Sequence, residues 1–341
     1  MLALQAVTPA QLAAAVPGVT LAEARKLVAQ VHRDEMVHAS SAVTRRAADA
    51  VTAAGAVPTL GVVEQVASQI DPFVKYALES AGDRFEAVRI PLADPDRFTV
   101  CVSSQVGCAL GCAFCATGQL GLRRNLAPWE IVEQVRVVRR GLPRGRVHGV
   151  VFQGMGEPLA NLDAVLAAIA VLTDPCALGI DARAITVCTA GLPSGIRRLA
   201  QQAPKVRLGL SISSAIAAHR KQVMPIAGRH SLDDVLAAVA EHARVTRLSP
   251  MWAVTLLDGV NDSEADAQAL AALALSFTST TGRRPRISVL DYNPIGERDP
   301  FRRSPRMPAY RAALAAANLP SHRRYSGGGD VAAACGQLAN R

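Results

Sequence analysis

The sequence predicts an α/β fold: a partial (β/α)6 barrel of the TIM type, preceded by a small helical N-terminal domain. Two observations carry this expectation. From Thr99 onward, short β-rich runs alternate with helical stretches, the signature of a parallel sheet with helices packed outside it. The most chemically loaded segments (Gly154–Pro158, Cys188–Gly191, Ser211–Ser214 and Tyr292–Pro294) each follow such a run, as loops at the C-terminal ends of barrel strands do. With 341 residues, half of them hydrophobic, the chain has material for one large domain and a smaller one.

The elements follow in order. Residues 1–72 read as a helical accessory domain suited to RNA. Thr8-Pro9-Ala10-Gln11 offers a cap, a proline at the first helical position and a return partner three residues on. Thr20-Leu21-Ala22-Glu23 repeats the device before Leu21, Ala24, Val28 and Val31, which share one helical face. The run Ala53–Pro58 reads as a break between helices. Residues 73–98 read as a β-hairpin extension, with Phe73–Leu78 and Phe85–Pro91 alternating about a turn at Ala81-Gly82-Asp83. Residues 99–341 hold the barrel. Its candidate strands are Thr99–Ser103, Gly149–Gln153, Ala184–Cys188, Val206–Ser211, Trp252–Leu257, Arg286–Leu290 and Arg323–Ser326, with helices such as Pro128–Arg140, Asp163–Leu172, Ser231–Ala243, Ser263–Phe277 and Met307–Ala316 between them.

Composition narrows the class. No apolar run is long enough to span a bilayer, and no basic-then-apolar leader with a cleavage site is present. Seven cysteines, three of them clustered, suit a reducing compartment better than a disulfide framework, so a cytoplasmic protein is expected, with nothing demanding more than a monomer. The formal net charge is +9, and the arginines are clumped: Arg136, Arg139, Arg140, Arg144 and Arg146; Arg283, Arg284 and Arg286; Arg302, Arg303 and Arg306; Arg323 and Arg324. Arginine forks match phosphate, so a polyanion partner is one reading and a merely solvated face the other. Aromatic residues at 4% argue against a single-strand stacking platform.

Cys108, Cys112 and Cys115, in a C-x3-C-x2-C loop after the first barrel strand, are the strongest chemical signal. Structural zinc closes its tetrahedron with four protein ligands, and a [4Fe–4S] cube ordinarily takes four cysteines. Three thiolates leave one iron open, which is what reductive cleavage of S-adenosylmethionine (SAM) requires; a zinc site is the bland alternative. Phe114 either shields the cluster or simply packs. In Gly154-Met155-Gly156-Glu157-Pro158, glycines admit a close ligand and Glu157 can accept from an ammonium group. Cys335 follows the triple glycine 327–329, which reads as a loop able to carry its thiol to an active site; packing in a terminal helix is the other reading. Cys101 is a candidate thiol partner for Cys335, whereas Cys176 reads as loop or core.

Together, Cys101-Val-Ser-Ser-Gln-Val-Gly-Cys108, the three-cysteine loop, Arg124-Asn125-Leu126, Gly154-Met-Gly-Glu-Pro-Leu159, Leu257-Asp-Gly-Val-Asn-Asp262, Tyr292-Asn-Pro294 and Ala334-Cys-Gly-Gln-Leu338 resemble the RlmN/Cfr family of radical-SAM RNA adenine methyltransferases. The likeness runs from about Phe73 to Leu338, and the chain is a divergent member by it. The resemblance implies a radical-SAM barrel, one [4Fe–4S] cluster on Cys108, Cys112 and Cys115, and two SAM molecules per turnover. It also implies an RNA substrate (23S rRNA and possibly tRNA) and an electron donor such as flavodoxin or ferredoxin. It assigns Cys335 as the cysteine that is methylated first, and Cys101 as the thiol that then attacks Cys335 sulfur to release the methylated base. Glu86, which reads as a solvated strand residue by itself, becomes the base for the ring proton. SAM contacts fall on Gly156, Glu157, Cys188, Ser211, Ser213 and Asn293.

The chain departs from the family pattern at three places. Cys188 stands where the family usually has serine. Ser211-Ile212-Ser213-Ser214 replaces a usual Ser-Leu-His-Ala, and Asp291 interrupts an apolar stretch. The function expected is adenine methylation at C2. Methylation at C8, a radical-SAM reaction on a non-RNA substrate and a non-catalytic metal-stabilised RNA-binding module are the alternatives.

Overall fold

The computed structural model describes residues 1–297 and 299–339; positions 340 and 341 of the expected barrel segment fall outside them. Seven parallel strands form the barrel sheet, in the order Arg97–Val102, Arg146–Phe152, Ile185–Thr189, Arg207–Ser211, Met251–Leu256, Arg286–Asp291 and Ser321–Arg324. The helices Pro128–Arg140, Leu162–Thr173, Pro193–Gln202, Leu232–Thr246, Glu264–Thr281 and Met307–Ala316 lie in the crossovers, so six βα units end in a seventh strand. The first barrel strand takes the antiparallel strand Asp83–Pro91 on its outer edge instead of the last barrel strand, and the barrel stays open.

The central strands carry largely apolar sequence, as parallel strands under helices do, whereas the last, Ser321–Arg324, is polar and partly exposed. Trp252 is fully buried and meets Phe277 edge-on at 5.2 Å between ring centroids. Burying such a side chain stabilises the fold by about 3 kcal/mol. Among the described residues, no helix is long and apolar enough to cross a membrane.

The hairpin forms where expected. Val74–Ser80 pairs with Asp83–Pro91 around Ala81 and Gly82, both with positive φ (51° and 77°), which gives the two-residue turn that matches strand twist. Its partner on the outer edge differs from expectation. Gly61–Ala67, within the stretch read as helical, is a strand antiparallel to Val74–Ser80. Its β-branched Val62, Val63 and Val66 favour an extended edge, and its burial is slight, so it lacks any helical apolar face.

The helices of the N-terminal domain are Pro9–Ala15, Leu21–Asp34 and Arg45–Ala54. Both expected capping boxes close: Gln11 N–H donates to Thr8 Oγ1 at 3.3 Å and Glu23 N–H to Thr20 Oγ1 at 3.2 Å. These helices enclose a core of their own, around Leu12, Val28, Val31 and Val51. The arginine clump of helix Pro128–Arg140 joins that domain to the barrel. Arg136, 1% exposed, donates to Val31 O at 3.0 Å and pairs with Glu133 at 2.9 Å. Arg139 donates to His32 O, and Arg140 bridges Glu35 and Glu133. These three cations therefore help join the two domains, which neither a polyanion surface nor a merely solvated face describes: Arg136 and Arg140 share the carboxylates Glu35 and Glu133, and Arg139 holds a backbone carbonyl.

Candidate active site

The three-cysteine loop hangs between two short strands, Gln105–Cys108 and Gly121–Asn125, which pair antiparallel. Gly107 makes that pairing work, since its φ is +75° and a Cβ there would lie 1.9 Å from Gly121 O. Cys115 precedes the short helix Ala116–Gln119, and its N–H donates to Cys112 O at 3.1 Å. Cys108, Cys112 and Cys115 line one face of a cleft of ≈ 920 Å³, open to solvent. Burial pushes Cys108 up to about 11, and burial together with the Cys115 and Cys108 thiols pushes Cys112 up to about 12; burial raises Cys115 as well. Phe114 lines the cleft and packs against the small apolar cluster that includes Met224 and Tyr292.

The donor set fits an iron–sulfur cube. Among the described residues no group of three or more His, Cys, Asp or Glu side chains converges on the position of a single metal ion. Three thiols from one loop, with Cys188 and Cys335 lining the same cleft from other elements, suit a cube whose last iron is open, and binding it would replace their protons.

Opposite the thiols stand Gly156, Glu157, Cys188, Ser211 and Ser213, five of the six expected SAM contacts. Glu157 is buried; its Oε1 accepts from Leu159 N–H at 3.0 Å and its Oε2 from Ala190 N–H at 2.9 Å, while burial raises its pKa. Each oxygen keeps acceptor capacity for a ligand ammonium. Gly156 (φ +95°) packs against Gln105, whose Oε1 accepts Glu157 N–H at 2.8 Å and whose Nε2 donates to Asn125 Oδ1 at 2.7 Å. Ser213 holds a left-handed backbone (φ +57°) that a serine seldom adopts, and its hydroxyl meets Met224 Sδ at 2.9 Å. The sixth contact, Asn293, is turned elsewhere: its Nδ2 donates to Cys335 O and Ser326 Oγ, both at 3.2 Å. Asp291 is accounted for by Arg323, which reaches it from the adjacent strand at 2.6 Å.

Cys335 lines this cleft and also a second cavity of ≈ 630 Å³, which it shares with Cys101. Its segment is fastened rather than loose. Cys335 N–H donates to Ser326 Oγ at 2.8 Å, Ala116 N–H to Gly336 O at 2.7 Å, and Gly328 N–H to Asp71 Oδ2 at 2.9 Å. A Cβ on Gly327 would lie 2.4 Å from Phe73, so that glycine serves close packing, which corrects its reading as a source of mobility. Glu86, expected at the surface, is 1% exposed. It pairs with buried Lys75 at 3.4 Å, its Oε2 accepts Ala339 N–H at 2.8 Å, and it lines neither cavity. Gln153 and Arg324 were not singled out for the site; Gln153 lines both cavities, and its place directly after a barrel strand was the available signal.

Comparison with known proteins agrees with this geometry. Residues 102–270 match the radical SAM superfamily. A probable RNA methyltransferase of Sorangium cellulosum is 55% identical over 97% of this chain and 90% of its own length. The dual-specificity RNA methyltransferase RlmN of Syntrophobacter fumaroxidans is 43% identical over 75% of this chain and 73% of its own. The chain belongs to the RlmN/Cfr family. The crystal structure of a radical SAM methyltransferase from Sphaerobacter thermophilus superposes over the whole of both chains at a TM-score of 0.87 and 32% identity. The protein is thus a radical-SAM RNA methyltransferase, dependent on a [4Fe–4S] cluster and SAM.

Proposed function

We propose that this enzyme methylates adenine C2 in 23S ribosomal RNA, and in tRNA, through an S-methyl group carried on Cys335. One observation supports this above the rest: Cys335 stands in the wall between the cleft of the three cluster cysteines and the cavity holding Cys101. A carrier thiol must meet SAM on one side and the resolving thiol on the other. Adenine C2 is an electron-poor amidine carbon and a poor nucleophile, so direct transfer from SAM is disfavoured.

When bound, the cluster on Cys108, Cys112 and Cys115 and two SAM molecules supply the methyl group, one electron and the radical that removes hydrogen from the S-methyl group. The chain's own residues do the rest. Glu157 takes the SAM ammonium, with Gly156, Cys188, Ser211 and Ser213 lining the same cleft. Asn293 holds the Cys335 segment beside that cleft through Cys335 O. Cys101 attacks Cys335 sulfur and frees the methylated base, leaving a Cys101–Cys335 disulfide for reduction. Glu86 receives the ring proton once Ala339 N–H gives way. A flavodoxin or ferredoxin donates the electron, and the enzyme works as a cytoplasmic monomer with residues 1–72 contributing to RNA contact.

The test is anaerobic incubation of cluster-reconstituted enzyme with SAM, dithionite and unmodified 23S rRNA, followed by nucleoside mass spectrometry. 2-Methyladenosine is expected; the 8-methyl isomer, resolved chromatographically, or deoxyadenosine without methylated RNA would overturn the assignment.

A further inference from the structure

The arginine clumps divide sharply on inspection. Arg136 and Arg140 bind Glu133, and Arg323 binds Asp291. Arg324, next to Arg323 on the last barrel strand, points the other way, into the barrel. It lines the cavity of Cys101 and Cys335, and also the cavity at the barrel's N-terminal end, so its side chain spans the gap left by the open sheet. Its Nη1 is buried with no hydrogen-bond partner, and no carboxylate is among the groups acting on it. The charges it meets are thiols: Cys335, Cys188 and Cys101, in that order.

The same pairing holds from the other side. Burial raises Cys101, and the Cys335 and Cys188 thiols raise it further; Arg324 is the one side-chain cation acting against them. At Cys188, pushed to about 12 by burial, Arg324 again opposes. The other charged groups near it are His322 on its own strand, Arg286 on the adjacent one and, around the cavity at the barrel's N-terminal end, His148, Asp181, Arg183 and Arg207; Asp181 is the one carboxylate there, and it makes no ion pair with Arg324. A guanidinium with a buried free donor, set beside three thiols and paired with no carboxylate, is costly for the fold and useful for thiolate chemistry.

We propose that Arg324 is a positioning residue for the resolving reaction, its guanidinium holding the Cys101 sulfur as a thiolate against Cys335. This rests on the reading of Cys101 as the resolving thiol. Cys101 gives its proton to solvent, and its thiolate attacks Cys335 Sγ. The S–S bond forms as the bond from Cys335 sulfur to the base-linked methylene carbon breaks. That electron pair stays on the carbon, which takes a proton and becomes the methyl group; a dithiol reductant later returns both cysteines to thiols. Arginine suits this place because it stays charged where a buried lysine would lose its proton more readily.

The test reads Cys101 directly, without RNA. Cluster-loaded enzyme and the variants Arg324→Lys, Arg324→Met and Arg324→Gln, each checked for cluster absorbance and melting temperature, are treated anaerobically with iodoacetamide from pH 6 to 10. Alkylation of Cys101 is followed by peptide mass spectrometry. The neutral variants should show a profile displaced upward by about one pH unit, a rate loss of about tenfold below the midpoint. Arg324→Lys should stay within about threefold of wild type. An unchanged profile in a folded neutral variant overturns the proposal. Should Met and Gln both fail to fold, single turnover with RNA decides it in Arg324→Ser: resolution of the Cys335-linked RNA adduct at the wild-type rate at pH 9.5 but slowed at pH 7 supports the role, and slowing at neither pH overturns it. Absence of any Cys335-linked RNA in wild type would instead sink the reading of Cys335 and Cys101, while the alkylation profile would still report on Arg324.

Discussion

Replacing Gly156 with alanine tests whether the cleft is as tightly built as its geometry says. At φ +95° an L-residue is strained by about 1–2 kcal/mol, and the new Cβ would lie 2.5 Å from Gln105 Cβ. Gln105 has no slack: moving it breaks its bonds to Glu157 N–H and Asn125, each worth about 1 kcal/mol when buried. The total is about 3–4 kcal/mol. Over 341 residues the unfolding entropy is about 0.7 kcal/mol per kelvin, so Tm should fall by about 4–6 °C. SAM affinity, read by isothermal titration on cluster-loaded protein, should drop at least about tenfold because Glu157 shifts with its N–H. Gly82→Ala is the control. Its φ is +77° with nothing within 4 Å of the added carbon, so only strain remains and Tm should move by about 1.5–3 °C. Equal effects at both glycines, or an unchanged Tm and SAM affinity in Gly156→Ala, would refute the reasoning.

Two further expectations concern the frame around the site. His32 and His242 are buried and neutral, held down to about 3 and about 4, in each case chiefly by desolvation. Their folded values lie below the unfolded one, so the stability they carry is intact above pH 6.5 and is lost as pH falls toward 4. By pH 5 each should cost about 2 kcal/mol, and His32→Gln should flatten the fall in denaturation free energy between pH 7 and 5 by that amount; an unaltered slope would contradict it. Arg136→Met leaves Val31 O without its donor and Glu133, fully buried, with Arg140 alone, so urea denaturation should show a loss of about 3 kcal/mol. A loss below about 1 kcal/mol would mean the clump contributes little to joining the domains.

The barrel was legible because parallel strands and their helices write two different periods into the chain, and the cluster loop because three cysteines at short spacing have few other uses. Cys335 stood out beside its triple glycine, but the carrier role proposed for it came only through motif likeness. What escaped was set by neighbours distant in sequence. Gly61–Ala67 is an exposed edge strand with no buried face to betray it. Glu86 alternates like a surface residue, yet Lys75 and Ala339 N–H enclose it from the adjacent strand and the far end of the chain. The arginines looked alike in one dimension: only the fold shows that Arg136 meets carboxylate, Arg323 meets Asp291 and Arg324 meets thiols. Cys188, a departure from family serine, lines the same cleft as the serine positions 211 and 213 beside it.

The central claim, that the methyl group reaches RNA by way of Cys335, is tested most directly by isotopic order. Enzyme is first loaded with ¹³C-methyl SAM alone, freed of excess, and then given RNA, dithionite and unlabelled SAM for a single turnover. The account predicts that the methyladenosine formed carries ¹³C and that peptide mass spectrometry finds the initial label on Cys335. Methyladenosine carrying only unlabelled carbon in that turnover would contradict it.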